Sequence, residues 1–334
     1  MALHTPWAMA MHIPSPPISG FHIGPLFIHF YALMYLIGIA AAIIITRRRW
    51  IARGGDPDLV YEIAMWGVPA GIAGGRIYFD VTTPMDIPHE WYGVFAVWQG
   101  GLGIWGAVAL AAPVCAWRVR RHGASVGQFM DAVAPGLLAA QGIGRIGNYF
   151  NKELFGAPTN LPWGLEIPPQ YRYAIAAPFL QDRRFSTFQP TFLYELIWDF
   201  LLAALIVWAG HHLTIRLKGQ FALYVAGYSG FRIVEESMRI DSSQYFLGLR
   251  LNFYIASGLT LVGLVWFAWI QRYGQPASAG LPSLQEAAVR EAAAASASPA
   301  GAAGTAAGAG ADPAAGAPGR PGGAATGARG DAAP

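Results

Sequence analysis

The chain has 334 residues, of which 54% are hydrophobic and 12% are charged, and its formal net charge is +3 at pH 7. Its mean hydropathy is positive, at +0.36. So few charged residues leave too little polar surface to coat a soluble globular protein. The composition therefore excludes an ordinary soluble enzyme and predicts a membrane protein.

Seven segments are long and apolar enough to be membrane-crossing helices, since about 20 apolar residues span about 30 Å of hydrocarbon. The predicted spans are residues 25–46, 60–79, 93–117, 129–147, 190–209, 221–238 and 251–270. The fourth contains Pro135, several glycines and Arg145, so by itself it is equally compatible with a re-entrant or protein-buried segment. We predict an all-α membrane protein, a polytopic bundle of about seven transmembrane helices.

Basic residues are unevenly distributed between the loops, and this distribution predicts the orientation of the bundle. Those in the predicted cytoplasmic loops are Arg47, Arg48, Arg49, Arg53, Arg118, Arg120, Arg121, Arg216 and Lys218. Residues 1–24 contain neither Lys nor Arg. We therefore expect the N-terminus outside the cytoplasm and the C-terminus inside it. Without a basic region before the first span, that span is expected to be a retained anchor rather than a cleaved signal.

The same pattern divides the chain into regions. Residues 1–24 form an extracytoplasmic N-terminal segment, and residues 25–272 form the seven-helix membrane domain. Residues 148–189 are an extracytoplasmic insert in that domain, long enough for a small subdomain. Residues 273–334 are rich in Ala, Gly and Pro, which predicts a disordered cytoplasmic tail. A single cysteine, Cys115, excludes a disulfide framework and a cysteine-based metal site, and no metal is expected.

Four arginines are expected at membrane depth: Arg76, Arg145, Arg232 and Arg239. An arginine at the centre of a membrane helix costs about 2.5–3.5 kcal/mol, so such residues are candidates for function. The predicted topology gathers all four toward the outer leaflet. Planar guanidinium groups bind phosphate through paired hydrogen bonds, so the cluster predicts a phospholipid headgroup site. Alternatively, these side chains extend to the outer headgroups or pair with carboxylates of neighbouring helices.

The sixth span supplies a carboxylate partner for this cluster. Glu236 follows Arg232 by four residues, and Arg239 follows it by seven. The three residues share one face of a helix, which we expect to point into the bundle. Glu235 is expected to lie off that face.

A polar segment, GRIGNYFNKELFG, ends the fourth span at residues 144–156. Asn148 shares a helix face with Arg145, whereas Asn151 and Glu153 are expected in the following loop. Amide and carboxylate groups among glycines indicate ligand binding at the outer interface. Tyr31, in the string HFYALMY at residues 29–35, is a further candidate at the same depth. The alternative for Tyr31 is an interfacial aromatic belt.

The string GRIGNYFNKELFG closely resembles the signature of prolipoprotein diacylglyceryl transferases. The positions in register are Arg145, Gly147, Asn148, Asn151, Glu153 and Gly156. Further matching strings, in the order of the family, are HFYALMY at 29–35, GGR at 74–76, QGGLGIWGA at 99–107, QPTFLYE at 189–195 and FRIVEESMR at 231–239. The resemblance covers roughly residues 20–270.

This resemblance implies a transferase of the bacterial cytoplasmic membrane that catalyses the first step of lipoprotein maturation. Such enzymes move the diacylglyceryl group of phosphatidylglycerol to the lipobox cysteine thiol of a preprolipoprotein. A thioether forms and glycerol phosphate leaves. The resemblance implies no cofactor and no nucleic-acid partner, and an oligomer is not required.

The resemblance also assigns roles to residues. It implies that Arg145 and Arg232 hold the lipid phosphate. The full catalytic set is Arg145, Arg232, Tyr31, Glu236 and Glu153, and the set that binds phosphatidylglycerol is Arg145, Asn148, Asn151, Gly156, Arg232, Arg76 and Arg239. Two positions depart from the family, because Trp105 and Gln189 stand where many members have histidine.

A mechanism without these histidines remains open, since a few per cent of a thiol is already ionised near neutral pH and arginines increase that fraction. The candidates for the group that accepts the thiol proton are Glu153, Tyr31 and the phosphate itself, and the sequence does not rank them. Two other functional classes are compatible with intramembrane arginines. One is a lipid or anion transporter, and the other is a noncatalytic scaffold in which the arginines only pair with carboxylates and headgroups.

Overall fold

The computed structural model describes residues 12–277. Within them the chain forms seven α-helices: α1 Phe30–Ile51, α2 Pro57–Thr82, α3 Ile104–Arg121, α4 Val126–Asn151, α5 Thr191–His212, α6 Gly219–Met238 and α7 Leu251–Tyr273. Of these described helices, α1, α5 and α7 are long and apolar enough to cross a membrane. The protein is therefore a mostly helical membrane protein. Residues 278–334, nearly all of the predicted tail, lie outside the described residues.

In residues 12–277, six short strands form three antiparallel pairs next to the helices. The pairs are β1 Gly20–Ile23 with β2 Leu26–His29, β3 Leu165–Glu166 with β4 Thr187–Phe188, and β5 Tyr245–Phe246 with β6 Leu249–Arg250. The first pair precedes α1 and the last precedes α7. The predicted start of the first span at residue 25 is wrong, because residues 26–29 pair with β1 and the helix begins at Phe30.

The third predicted span, residues 93–117, is also wrong at its start. Two short 3₁₀ turns, Gly93–Phe95 and Val97–Gln99, come first. Gly100 and Gly101 then adopt positive φ angles of 90° and 76°, a backbone conformation that an α-helix cannot contain. Helix α3 therefore begins only at Ile104. An apolar sequence does not distinguish such a loop from a helix.

Helix α4 lies at the centre of the bundle, packed against α1, α5 and α6. It is one continuous helix of 26 residues despite Pro135, and at 1.5 Å per residue it extends over about 39 Å. Its N-terminus is capped by the Ser125 hydroxyl, which accepts a hydrogen bond from the backbone of Gln128. Its C-terminus stops at Lys152, whose φ of 56° is left-handed. The chain turns sharply there and enters the insert.

Two hydrophobic clusters fix the ends of the bundle. One joins the C-terminal end of α1 to α2 and α4 through Trp50, Leu59 and Phe129. The other packs the insert over the opposite end of α4 and α5 through Phe155, Phe188 and Phe192. After the last turn of α4, the insert contains the β3–β4 pair and the 3₁₀ helices Pro169–Ala174 and Leu180–Arg184. It is thereby held against the end of the bundle where α4 finishes and α5 begins.

The closest helix contact joins α2 and α3 through two glycines. A Cβ atom on Gly74 would lie 2.3 Å from the carbonyl oxygen of Gly106, and one on Gly106 would lie 2.2 Å from that of Gly74. Small residues allow this approach of the two backbones, which is how membrane helices gain packing energy.

We expect Gly74→Ala to force α2 and α3 apart and to lower the free energy of unfolding by about 1–3 kcal/mol, the usual cost of overpacking. Thermal unfolding in detergent measures the change. Gly258→Ala in α7 is the matched control, because nothing lies within 4 Å of the added methyl group. Equal melting temperatures for the two variants would contradict the close contact.

Candidate active site

The side chain of Glu195 links three helices, α4, α5 and α6. It lies in the second turn of α5, and its side chain is fully buried. One carboxylate oxygen accepts hydrogen bonds from Arg145 of α4 and from the Tyr228 hydroxyl of α6, at 3.1 Å from the latter. The other oxygen lies 3.3 Å from Arg232 of α6. A single buried carboxylate thus holds both arginines that the sequence assigns to the lipid phosphate.

Arg232 continues the ionic contacts along α6. It pairs with Glu235 and, at 2.5 Å, with Glu236. The expectation that Glu235 lies off this face is wrong, since residues three apart on a helix are neighbours as well as residues four apart. Glu235 and Glu236 are each only 2% exposed. Both carboxylates are therefore enclosed by the protein, whereas Arg232 keeps 18% of its side chain exposed.

The contacts extend beyond the end of α6 through a second group of arginines. Arg239 lies 3.4 Å from Glu236 and 2.8 Å from Asp241. Arg250, just before α7, lies 2.7 Å from Glu236 and 3.2 Å from Asp241. Glu236 thus links the helix to the segment between α6 and α7.

These eight residues form what we call the arginine–carboxylate network: Arg145, Arg232, Arg239, Arg250, Glu195, Glu235, Glu236 and Asp241. Four guanidinium groups face four carboxylates. Burying so much charge is tolerable only when each group has partners, and here each does. An anionic ligand of these arginines must compete with the carboxylates that already bind them.

The end of α4 adds amide groups next to the network. Asn148 and Asn151 donate to the same oxygen of Glu153, at 3.0 and 3.2 Å. Asn151 is the last residue of α4 rather than a loop residue, while Glu153 follows the left-handed turn at Lys152. The three predicted residues are therefore brought together by the sharp end of one helix.

Tyr31 of α1 packs on the same part of α4. A Cβ atom on Gly147 would lie 2.3 Å from the Tyr31 ring, so only glycine admits the tyrosine there. The Tyr31 hydroxyl lies 3.0 Å from that of Tyr35. Glu153 and Arg145 are both close enough to act electrostatically on Tyr31. The structure thus places Tyr31 with the other candidates.

Gly156 positions the loop that carries Glu153. Its backbone N–H donates to the carbonyl of Gln189 at 2.9 Å, and it forms a β-bridge with Arg239. An added Cβ would lie 2.9 Å from both the Gln189 side chain and the Met238 carbonyl. Glycine therefore allows the loop to lie directly on the start of α5 and the end of α6.

Arg76 does not join the network. Its guanidinium donates to the backbone carbonyls of Val94 and Gly100, at 3.0 and 2.9 Å, and to that of Gly93. It also pairs with Asp80 at 3.1 Å. Every nitrogen of this buried side chain has a partner close by, and none of these partners belongs to the network. Its assignment to the lipid phosphate stays a prediction. In the structure, Arg76 binds the loop that precedes α3.

Neither Trp105 nor Gln189, the two residues that depart from the family pattern, has a side chain that can act as a base. Trp105 is the second residue of α3 and is 43% exposed. Gln189 accepts a hydrogen bond from the Tyr194 hydroxyl at 2.6 Å and donates to Thr159 at 3.3 Å. Neither residue is paired with a member of the network. Any proton acceptor must come from elsewhere in the site.

Reasoning from the sequence missed three parts of the site: Glu195, Tyr228 and the pair of Asp241 with Arg250. Signals for the first two were present, because Glu195 is a carboxylate within an apolar span and Tyr228 precedes Arg232 by one helical turn. The contacts of Arg250 with Glu236 and Asp241 depend on the fold of the segment between α6 and α7. Periodicity contains no signal for them.

The fold and the site define a class of protein, namely a helical membrane protein with guanidinium groups paired with buried carboxylates between its helices. A family model described as prolipoprotein diacylglyceryl transferase matches residues 19–269. The chain belongs to this family, and the resemblance predicted from its motifs is confirmed.

Curated relatives carry the corresponding name. The chain is 43% identical over 274 residues to the phosphatidylglycerol–prolipoprotein diacylglyceryl transferase of Bifidobacterium adolescentis, covering 79% of this chain and 81% of the relative. It is 42% identical over 280 residues to phosphatidylglycerol–prolipoprotein diacylglyceryl transferase 2 of Streptomyces coelicolor, covering 83% and 86%. With the enzyme of Cutibacterium acnes it shares 46% over 245 residues, covering 72% and 81%.

The Asp241 carboxylate predicts an acid-sensitive element at the rim of the network. Burial raises its pKa, but hydrogen bonds and charge from Arg239 and Arg250 outweigh burial and hold the pKa below its ordinary value. The stabilisation is therefore fully present above the unfolded pKa of about 3.9 and is lost as the pH falls through the lower folded value. We expect Asp241→Asn to cost about 1–3 kcal/mol at neutral pH.

Thermal unfolding of both proteins in detergent, measured from pH 7 down to pH 3, tests this assignment. The difference between the two curves should shrink as the pH falls below the unfolded pKa of about 3.9, since the charged carboxylate then begins to lose its advantage. A constant difference between the curves at all pH values would show that Asp241 does not titrate as argued.

The contact of Tyr31 with Gly147 gives a second test. Gly147→Ala should push the Tyr31 ring away from α4 and lower the melting temperature in detergent, with a cost of about 1–3 kcal/mol for the forced clash. Gly144→Ala lies on the same helix, one turn away, and nothing lies within 4 Å of its added methyl group. It should be neutral or slightly stabilising, and a loss equal to that of Gly147→Ala would argue against the contact.

Proposed function

We propose that the chain transfers the diacylglyceryl group of phosphatidylglycerol to the lipobox cysteine thiol of preprolipoproteins, forming a thioether and releasing glycerol phosphate. The curated relatives are named for this lipid and for prolipoprotein. The observation that carries the proposal is the convergence of Arg145 and Arg232 in one buried site. Two guanidinium groups so placed can take a phosphate between them.

The reaction needs position and charge more than a reactive cofactor. The substrate thiolate attacks the glyceryl carbon that bears the phosphate, in line with the departing oxygen. Arg145 and Arg232 stabilise the negative charge that develops on the leaving phosphate. In a water-poor site, each such donor contributes several kcal/mol.

The remaining predicted residues line the same site in this proposal. Asn148 and Asn151 orient Glu153, and Tyr31 closes the side toward α1. Gly156 keeps the loop with Glu153 against the bundle. Glu236 binds Arg232, and Arg239 binds Glu236. In this proposal these two residues act mainly by fixing the position of Arg232. No cofactor is needed for these roles.

We place all seven helices across the bacterial cytoplasmic membrane, with the N-terminus outside and the C-terminus in the cytoplasm. The end of α4, the start of α5 and the end of α6 carry the network and lie on the outer side, together with the insert of residues 148–189. Arg118, Arg120 and Arg121 end α3 on the opposite side, in agreement with the bias of basic residues toward the cytoplasm. The network lies within one chain, so an oligomer is not required.

Arg145→Lys and Arg232→Lys test the function, since lysine keeps the charge and loses the planar pair of donors. The measurement is transfer of labelled diacylglyceryl from phosphatidylglycerol to a lipobox peptide by purified protein. Each variant should lose about 100- to 1000-fold in turnover. Arg120→Lys, at an exposed position of α3, should stay within about twofold of wild type.

The outcomes separate the functional classes. A thioether product with wild type, lost in the folded Arg145 and Arg232 variants, supports the transferase. Folded wild type without any thioether product would overturn the proposal, and lipid transport or scaffolding would then be tested.

A further inference from the structure

Arg145 and Arg232, the two residues assigned to the lipid phosphate, both bind Glu195 in the structure. Glu195 is fully buried; it also accepts a hydrogen bond from the Tyr228 hydroxyl at 3.1 Å and is in hydrogen-bond contact with the Glu235 carboxyl group. A phosphate that takes the particular N–H groups now bound to Glu195 releases this carboxylate. In that arrangement, binding of the lipid and release of Glu195 are one event.

Displacement changes the chemistry of Glu195. Beside two guanidinium groups, a carboxylate is held in its charged form and is a poor proton acceptor. A bound phosphate neutralises those positive charges and puts a like charge next to the carboxylate. Both changes favour protonation, so lipid binding makes Glu195 a stronger base at the moment when the thiol has to lose its proton.

A second carboxyl group, that of Asp199, limits how much negative charge can be buried near Glu195. Asp199 lies one helical turn from Glu195 on α5 and is fully buried, and neither of its carboxylate oxygens has a hydrogen-bond partner among the described residues. Its Cβ packs against Gly142 of α4. An unpaired charge enclosed in this way is very costly. The pair is therefore best accommodated with the proton on Asp199 and the negative charge on Glu195.

We propose that Glu195, displaced from Arg145 and Arg232 by the lipid phosphate, accepts the proton of the substrate thiol. This inference rests on the proposed transferase function. The S–H electron pair stays on sulfur and forms the S–C bond, the bond from the glyceryl carbon to the phosphate oxygen breaks, and its electrons leave with glycerol phosphate. The proton rests on Glu195, which is then uncharged beside the departing anion.

After the reaction, the ion pairs of Glu195 with Arg145 and Arg232 form again and restore the site. When glycerol phosphate leaves, Arg145 and Arg232 are again available to Glu195. Their charge drives the proton off Glu195 to water or to the leaving phosphate. The cycle thus needs no histidine, in agreement with tryptophan at position 105 and glutamine at position 189.

The groups that act on Glu195 come from every helix packed against it. They are Arg145 of α4, Tyr228, Arg232 and Glu235 of α6, and Asp199 of its own helix. Glu235 shares Arg232 with Glu195 and is hydrogen-bonded to it, so Glu235→Gln is the comparison with a neighbouring buried carboxylate that is not the proposed proton acceptor. Removing either carboxylate breaks a buried pair with the same arginine, but in the proposal only Glu195 takes the thiol proton.

The test compares two peptides with the purified full-length protein in phosphatidylglycerol-containing micelles. One peptide carries the lipobox cysteine, and the other carries selenocysteine in its place, kept reduced. A selenol is ionised at neutral pH without a base, whereas a thiol with a pKa of about 8.5 is mostly protonated. Wild type must modify the cysteine peptide, which tests the proposed function separately.

Glu195→Gln should lower the rate of transfer to the cysteine peptide more than the rate of transfer to the selenocysteine peptide. The additional loss should be about 100-fold or more, because this is the usual contribution of a general base. Its remaining rate with cysteine should rise about tenfold per pH unit below the pKa of the thiol, following thiolate concentration. Glu235→Gln should slow both peptides by the same factor. Glu195→Asp should recover part of the thiol-specific rate.

Equal losses with both peptides in Glu195→Gln, in protein that melts like wild type, would assign Glu195 a structural role and overturn the proposal. Selective recovery with selenocysteine in Glu235→Gln instead would also overturn it, in favour of Glu235. If Glu195→Gln does not fold, Glu195→Asp provides the test. Its shorter carboxylate should slow transfer to the cysteine peptide more than transfer to the selenocysteine peptide, and equal slowing of both would overturn the proposal.

Discussion

Enclosed arginine charge is the constraint on which the rest of the structure depends. Guanidinium groups at membrane depth need carboxylate partners, and the partners of Arg145 and Arg232 lie on different helices. Glu195 joins α4 to α6 through α5, and Glu236 joins α6 to Arg250 at the start of α7. The mutual positions of four helices thus follow from neutralising the same buried charges.

Close backbone contacts place the remaining groups around this network. Gly147 admits the Tyr31 ring against α4, and Gly156 lets the loop with Glu153 lie on α5 and α6. A left-handed turn at Lys152 directs that loop back over the helix end. Residues from α1, α4 and the insert therefore meet at one side of the network, where a lipid and a peptide can be brought together.

The balance of charge in the network connects binding to proton transfer. Four arginines face four carboxylates, so a phosphate that takes N–H groups already bound in the network replaces a carboxylate. In the proposed mechanism that carboxylate is Glu195, and its release creates the base that the family histidines would otherwise supply. Substrate binding and activation of the thiol then depend on the same two guanidinium groups.

Local properties of the sequence were enough to predict a helical membrane protein and the family, and they indicated most residues of the candidate site, because apolar length, helical spacing and the string GRIGNYFNKELFG depend only on neighbouring residues. The tertiary structure alone decided which charges pair. It paired Arg76 with backbone carbonyls of a glycine-containing loop, and it paired Glu195 with both Arg145 and Arg232. The reason is physical: an ion pair depends on distances between helices far apart in the chain, which hydropathy and periodicity do not contain.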